Sequence, residues 1–142
     1  MRYIYIFVFI TIELFSANLI KSGDTVVDRD HKLIWQDHKE NTIYRLKQDN
    51  AIKYCDELTQ SGFSDWRLPT VEEYKYIIDK TRKDEIMINK KFYHIVQDGY
   101  WTKDRTWRTL GRYGYYIFFK SGTAYYENRT YAKYVRCVRD IK

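Results

Sequence analysis

Apolar positions along the chain recur with several different spacings, and each spacing predicts its own element. Tyr3 to Ile12 is an almost unbroken apolar run preceded by Arg2. It is too short to span a bilayer and reads as the centre of a signal peptide over residues 1–18. Glu13 interrupts the run and only Ser16 and Ala17 are small near its end, so a retained anchor or a buried strand is the competing reading. Thr25-Val26-Val27-Asp28 and Lys32-Leu33-Ile34-Trp35-Gln36 are short apolar runs separated by Arg29-Asp30-His31, which predicts a hairpin. From Asp49 to Gln60 the spacing changes: Ala51, Tyr54, Cys55 and Leu58 fall at i, i+3, i+4 and i+7, one face of a helix that Gly62 then ends. A second helix is predicted from Val71 to Asp79, with Val71, Tyr74 and Ile78 on its apolar face. Thr70 and Glu73 form a capping-box pattern at its start, and Pro69 keeps Leu68 out of helical geometry.

Lys80 to Glu85 is a charged connection, and residues 86–98 show no consistent period. Beyond them Gly99-Tyr100-Trp101-Thr102 reads as a strand. Tyr113 to Phe119 alternates, Lys120-Ser121-Gly122 supplies a turn, and Thr123-Ala124-Tyr125-Tyr126 returns, which predicts a second hairpin. Tyr134 to Arg139 also alternates, with Arg136 and Val138 opposite Val135, Cys137 and Arg139. Strands, two helices, then strands describe an α+β fold with an antiparallel sheet. We expect a single domain over residues 24–142, a length that can bury a real core.

Charge changes the picture of the last third. Residues 1–100 carry 15 Lys and Arg against 16 Asp and Glu, whereas residues 101–142 carry 10 against 3. That basic segment also holds eleven aromatic residues, from Trp101 to Tyr134. Interleaved basic and aromatic residues suit nucleic acid, an anionic glycan or an acidic protein face; they equally suit a sheet whose aromatics pack while Lys and Arg stay wet. Export makes nucleic acid the poorest of these, and no nucleic-acid partner is expected. The two cysteines, Cys55 and Cys137, have no CxxC or Cys/His cluster around them. In an exported chain they would pair, whereas in a cytosolic one they would be two buried thiols.

Little in the sequence points to chemistry. His31, His38 and His94 lack zinc spacing, and there is no GxSxG, Walker A or GxGxxG motif. Glu72 and Glu73 are adjacent at a helix start, where they favour the helix dipole rather than face one another. No acidic loop has EF-hand spacing, and Asn128-Arg129-Thr130 is read as a chance sequon. The densest stretch, Ser64-Asp65-Trp66-Arg67-Leu68-Pro69-Thr70, is read as a structural corner. Trp66 is its core anchor, and Asp65 and Arg67 are turned aside to bond the backbone or each other; a ligand clamp is the alternative.

These residues together resemble the Lcl C-terminal domain family, named after a Legionella collagen-like adhesin. The resemblance runs through Asp28, Leu33 to Asp37, the cysteine helix and Gly62-Phe63-Ser64-Asp65-Trp66-Arg67-Leu68-Pro69-Thr70 with Glu73. It continues through Tyr100-Trp101-Thr102 and Val135-Arg136-Cys137-Val138-Arg139. It implies a C-type-lectin-like fold, related to that of sulfatase-modifying proteins, in an exported, periplasmic or extracellular bacterial domain that binds rather than catalyses. The namesake adhesin is linked to sulfated glycosaminoglycans. This chain departs from it in having only 6 glycines and no Gly-X-Y repeat.

The expectation is therefore a non-catalytic, exported envelope-binding domain with no cofactor and no metal, stapled by Cys55 and Cys137. Trp35, Trp66, Arg67, Pro69, Thr70, Trp101 and Arg136 form its structural signature. Ligand contact is expected from Trp107, Lys103, Arg105, Arg108 and Arg112, on a loop between Thr102 and Arg112. The expected partner is an anionic polysaccharide; the alternative is an acidic envelope protein met by a periplasmic interaction module.

Overall fold

The computed structural model of the chain describes residues 18–82 and 86–142. The expected leader, apart from residue 18, and residues 83–85 of the charged connection lie outside the described residues. Among the described residues, nine strands and two helices are arranged as an α+β fold. The strands are β1 Leu19–Ser22, β2 Thr25–Asp28, β3 Leu33–Gln36, β4 Arg45–Leu46, β5 Gly99–Arg105, β6 Tyr113–Phe118, β7 Thr123–Asn128, β8 Lys133–Tyr134 and β9 Val138–Asp140. The helices are α1 Gln48–Asp56 and α2 Val71–Lys75, with short 3-10 turns at Lys39–Thr42 and Trp107–Thr109. One sheet runs β1-β2-β3-β9 and is antiparallel throughout; the other runs β4-β8-β5-β6-β7. In the second sheet only the β5–β8 pair is parallel. Two helices, these sheets and one disulfide are compatible with a lectin-like arrangement.

Both predicted hairpins form. Val27 pairs with Ile34 in the first and Tyr116 with Tyr125 in the second. The last predicted strand does not form as one. Its start, β8, belongs to the five-stranded sheet and its end, β9, to the four-stranded one, while Val135 to Arg139 are all buried. A segment crossing between two sheets has core on both sides. Alternation of residue type therefore does not sort it into a wet and a dry face.

Both helices are shorter than their apolar spacing predicts. Beyond α2 the chain turns tightly and pairs with the segment ahead of β5: Asp79 N–H donates to Met87 O at 3.1 Å and Asn89 N–H to Ile77 O at 2.9 Å. Ile78 thus leaves the helix and bridges Ile88. Past α1, Gly62 is not the helix stop. Ser61 and Gly62 both have positive φ, 53° and 80°, and Gln60 and Phe63 exchange two backbone hydrogen bonds of 3.0 Å. That is a two-residue hairpin of the type that needs left-handed residues at both central positions.

Trp66 explains why this hairpin sits where it does. Its indole is buried and Nε1 donates to Phe63 O at 3.1 Å and Gln60 O at 3.3 Å. Arg67 then exchanges backbone bonds with Val138, which docks the corner on β9. Its guanidinium forks onto Glu73 at 2.7 and 2.6 Å and also meets Asp140. Asp65 pairs instead with Arg139, at 2.7 and 3.1 Å. Thr70 and Glu73 close the expected capping box, with bonds of 3.0 and 2.9 Å. Asp65 and Arg67 thus have charged partners elsewhere in the fold rather than each other.

Two apolar clusters share the interior. Trp35, Tyr74, Ile77, Ile88, Phe92, Tyr100, Ile117 and Phe119 lie in the larger; Ala51, Cys55, Trp66, Leu68, Trp101, Val135 and Cys137 form the smaller. The Cys55–Cys137 disulfide lies in the smaller cluster and joins α1 to the crossing segment. Between the sheets Arg136 and Asp37 form a fully buried ion pair, 3.3 Å apart. Arg136 also donates to the carbonyls of Gln36 and His94, while Asp37 accepts from Lys21 and from the amides of Tyr93 and His94.

Paired carboxylates make stability depend on pH. Burial pushes the Asp37 carboxyl up, but Arg136, Lys21 and the two amides outweigh it and hold the group below its ordinary 3.8. Burial acts likewise on Glu73, and the Arg67 fork with the Thr70 amide holds it below 4.5. A carboxyl depressed in the folded state contributes stability that is complete above its unfolded value and is lost as pH falls through its folded one. Urea midpoints should therefore vary little with these groups above about pH 5 and fall continuously below about pH 4. Midpoints that stay level down to about pH 3 would contradict the depressed values.

Candidate cationic cleft and the exposed turn beside it

The basic segment does not form one patch. Its most ordered part is built around Gln48, the buried first residue of α1. Gln48 Nε2 donates to the carbonyls of Thr102 and Asp104 in β5, at 2.8 and 3.0 Å, and its Oε1 accepts from Arg129 Nε at 2.7 Å. The fit is tight enough to require glycine opposite: a Cβ on Gly114 would lie 2.4 Å from Gln48 Nε2. Arg129 is fixed at both ends. Its backbone N–H donates to Arg112 O, its carbonyl accepts from Gln48 N–H, and Nη1 donates to Gly111 O at 3.0 Å. Asn128 shapes the approach by accepting from Thr130 N–H and Oγ1, so the Asn128-Arg129-Thr130 stretch acts as an Asx turn.

This clamp draws the start of α1, the connection between β5 and β6, and the connection between β7 and β8 around an open cleft. Lys47, Asp49, Arg112 and Arg129 line it. Arg105 stands beside it and donates to Asp49 Oδ1 at 3.0 Å, and Arg129 Nη2 donates to the same oxygen. Asp49 is the cleft's acid and is already shared by two guanidinium groups. Lys47 and Arg112 are exposed and have no carboxylate partner among the described residues. The cleft thus presents surplus positive charge from side chains whose surroundings are fixed.

The five residues expected to contact ligand are separated by this arrangement. Arg112 lines the cleft and Arg105 stands beside it, bonded to Asp49. Trp107 and Arg108 lie across the 3-10 turn and border a second depression with Tyr115 and Tyr126. Lys103 is exposed on β5 and lines neither, its backbone N–H being bonded to Pro69 O. Strand β5 also continues to Arg105, so the expected loop begins three residues later than predicted. Lys47 and Arg129 are the cleft residues that the sequence reading did not single out. Arg129 lay within the counted basic segment, but its approach to Lys47 depends on long-range pairing that no local pattern announces.

The aromatics of the basic segment divide in the same way. Tyr100, Trp101 and Phe119 are fully buried, and Tyr116 packs edge-on against Trp101. Tyr125, Tyr126, Tyr131 and Trp107 remain exposed. The histidines have structural settings. His31 bonds buried Asp28 at 2.8 Å and stacks on Tyr76, and His38 caps the first 3-10 turn.

The model of the Lcl C-terminal domain family matches residues 24–139, which contain the disulfide, the cleft and both sheets except β1 and the last residue of β9. No curated protein matches the chain.

Proposed function

We propose that this chain, which belongs to the Lcl C-terminal domain family, is an envelope or extracellular domain that binds anionic polysaccharide in the Lys47–Arg112–Arg129 cleft. The observation that carries this reading is the charge balance of the cleft. Its acid, Asp49, is held by Arg105 and Arg129, which leaves Lys47 and Arg112 to an outside anion. Planar guanidinium groups suit sulfate and carboxylate, and an open cleft admits a chain from either end. The disulfide supports an oxidising compartment. Among the described residues no helix is long and apolar enough to cross a membrane.

Binding without catalysis fits the rest of the molecule. Asp37 and Glu73, two carboxyls with perturbed titration, are each locked into an arginine pair, the first fully buried and the second partly exposed, rather than aimed into the cleft. The proposal predicts that a sulfated polysaccharide such as heparin binds and that a neutral dextran does not. Affinity for heparin should fall when salt is raised from about 0.05 to about 0.5 M, because exposed charges are screened over a few ångströms at high ionic strength. Isothermal titration at the two salt concentrations reads this. Equal binding to both polymers, or binding insensitive to salt, would overturn it.

A further inference from the structure

Trp107 and Leu110 are the most exposed large apolar residues among those described, at 82% and 89%. They lie on one turn, which begins at Trp107 and is capped by Leu110, whose N–H donates to Trp107 O. Both are thus displayed to solvent from the same short turn. The turn is held by its own bonds. Thr106 N–H donates to Tyr113 O and Gly111 N–H to Thr106 O, and the hydroxyls of Thr106 and Thr109 are 2.6 Å apart. Leu110 takes φ 52° and ψ 35°, left-handed geometry in which Asn or Gly is at ease and a bulky side chain is not. An apolar side chain is therefore displayed in water on a strained residue of a fixed turn.

The surroundings say what would cover it. Between Arg105 and Arg112 the chain has three arginines and no acid, and the Arg108 guanidinium lies 5.5 Å from the Trp107 ring. Trp favours the boundary between headgroups and acyl chains, arginines favour anionic headgroups, and a Leu gains by entering the acyl region. A sugar chain would stack on Trp107 but would leave Leu110 in water. The same turn of a second copy would bring arginine against arginine.

We propose that the Trp107–Leu110 turn is a membrane-interface anchor that seats this domain on an anionic lipid bilayer, with Arg108 against the headgroups. The site is distinct from the polysaccharide cleft and does not require it.

The protein carries its own probe. Trp35, Trp66 and Trp101 are buried, so a change in tryptophan emission on adding vesicles reports Trp107. The full chain should show a blue shift with vesicles of phosphatidylglycerol and phosphatidylcholine, quenching by brominated acyl chains, and neither with phosphatidylcholine alone. Leu110→Asn relaxes the left-handed residue, so it tests the contact without threatening the fold. It should weaken vesicle binding roughly tenfold, as expected for one leucine-sized side chain, and leave heparin binding unchanged. Unshifted emission with anionic vesicles would overturn the proposal. So would equal vesicle binding by Leu110→Asn, which would mean surface charge alone, or a loss of heparin affinity in that variant, which would assign the turn to the polysaccharide.

Discussion

Arg136→Met is expected to lower the free energy of unfolding by about 3–5 kcal/mol, the usual cost of removing one partner from a buried ion pair. Both Arg136 and Asp37 are fully buried. Methionine fills much of the arginine's volume, and Phe92 and Tyr100, whose rings lie 5.0 and 5.6 Å from the guanidinium, would still pack against it. What is lost is the buried countercharge to Asp37, leaving Lys21 as its remaining cation, and the donors to the carbonyls of Gln36 and His94. Asp37→Asn alone should also destabilise, because it leaves Arg136 charged and buried. The double variant should cost clearly less than the two single changes together, since it leaves neither charge unpaired. Urea unfolding of the four proteins measures the coupling, and strict additivity would contradict a load carried by the pair.

Replacing Cys55 and Cys137 by alanine should be comparably costly. The bond closes a loop of 82 residues, and releasing that constraint on the unfolded chain costs about 4 kcal/mol in the chain-entropy account. The sulfurs also belong to the smaller apolar cluster, beside Trp66, Leu68 and Trp101. The loss should therefore appear in the double variant and in reduced wild-type protein alike, as a lower urea midpoint. Reduction that leaves the midpoint unchanged would remove the disulfide from the account of stability.

Features that depend on neighbouring residues were legible in the sequence. The capping box at Thr70 and Glu73, the two hairpins and the buried position of Trp66 follow from spacing, turn residues and side-chain size. The cysteine pairing was legible because the chain holds only two. The failures share one cause. Val135 to Arg139 alternates like a surface strand yet crosses between two sheets. Gly62 reads as a helix stop but belongs to a hairpin held by Trp66. Ile78 continues the helical face of α2 until pairing with Ile88 draws it away. In each case a contact with a distant part of the chain overrides a valid local preference.

The cleft shows the same limit on the functional side. A count of charge locates a basic last third, but it cannot show that Arg129 is fastened to Gln48 and Asp49 while Lys47 and Arg112 have no ion-pair partner among the described residues. Nor can it separate Trp107 and Arg108, on one side of the turn, from Arg105 and Arg112 on the other. That division turns a diffuse basic region into a cleft for an anion and a separate apolar turn, each with its own test.

The most direct test of the cleft reverses its two unpaired charges. Lys47→Glu with Arg112→Glu should leave the thermal midpoint close to that of the parent, because both side chains are exposed and without ion-pair partners among the described residues. Heparin affinity, measured by titration at low salt, should fall at least about tenfold. Unchanged affinity in a variant that remains folded would contradict the assignment of the cleft as the polysaccharide site.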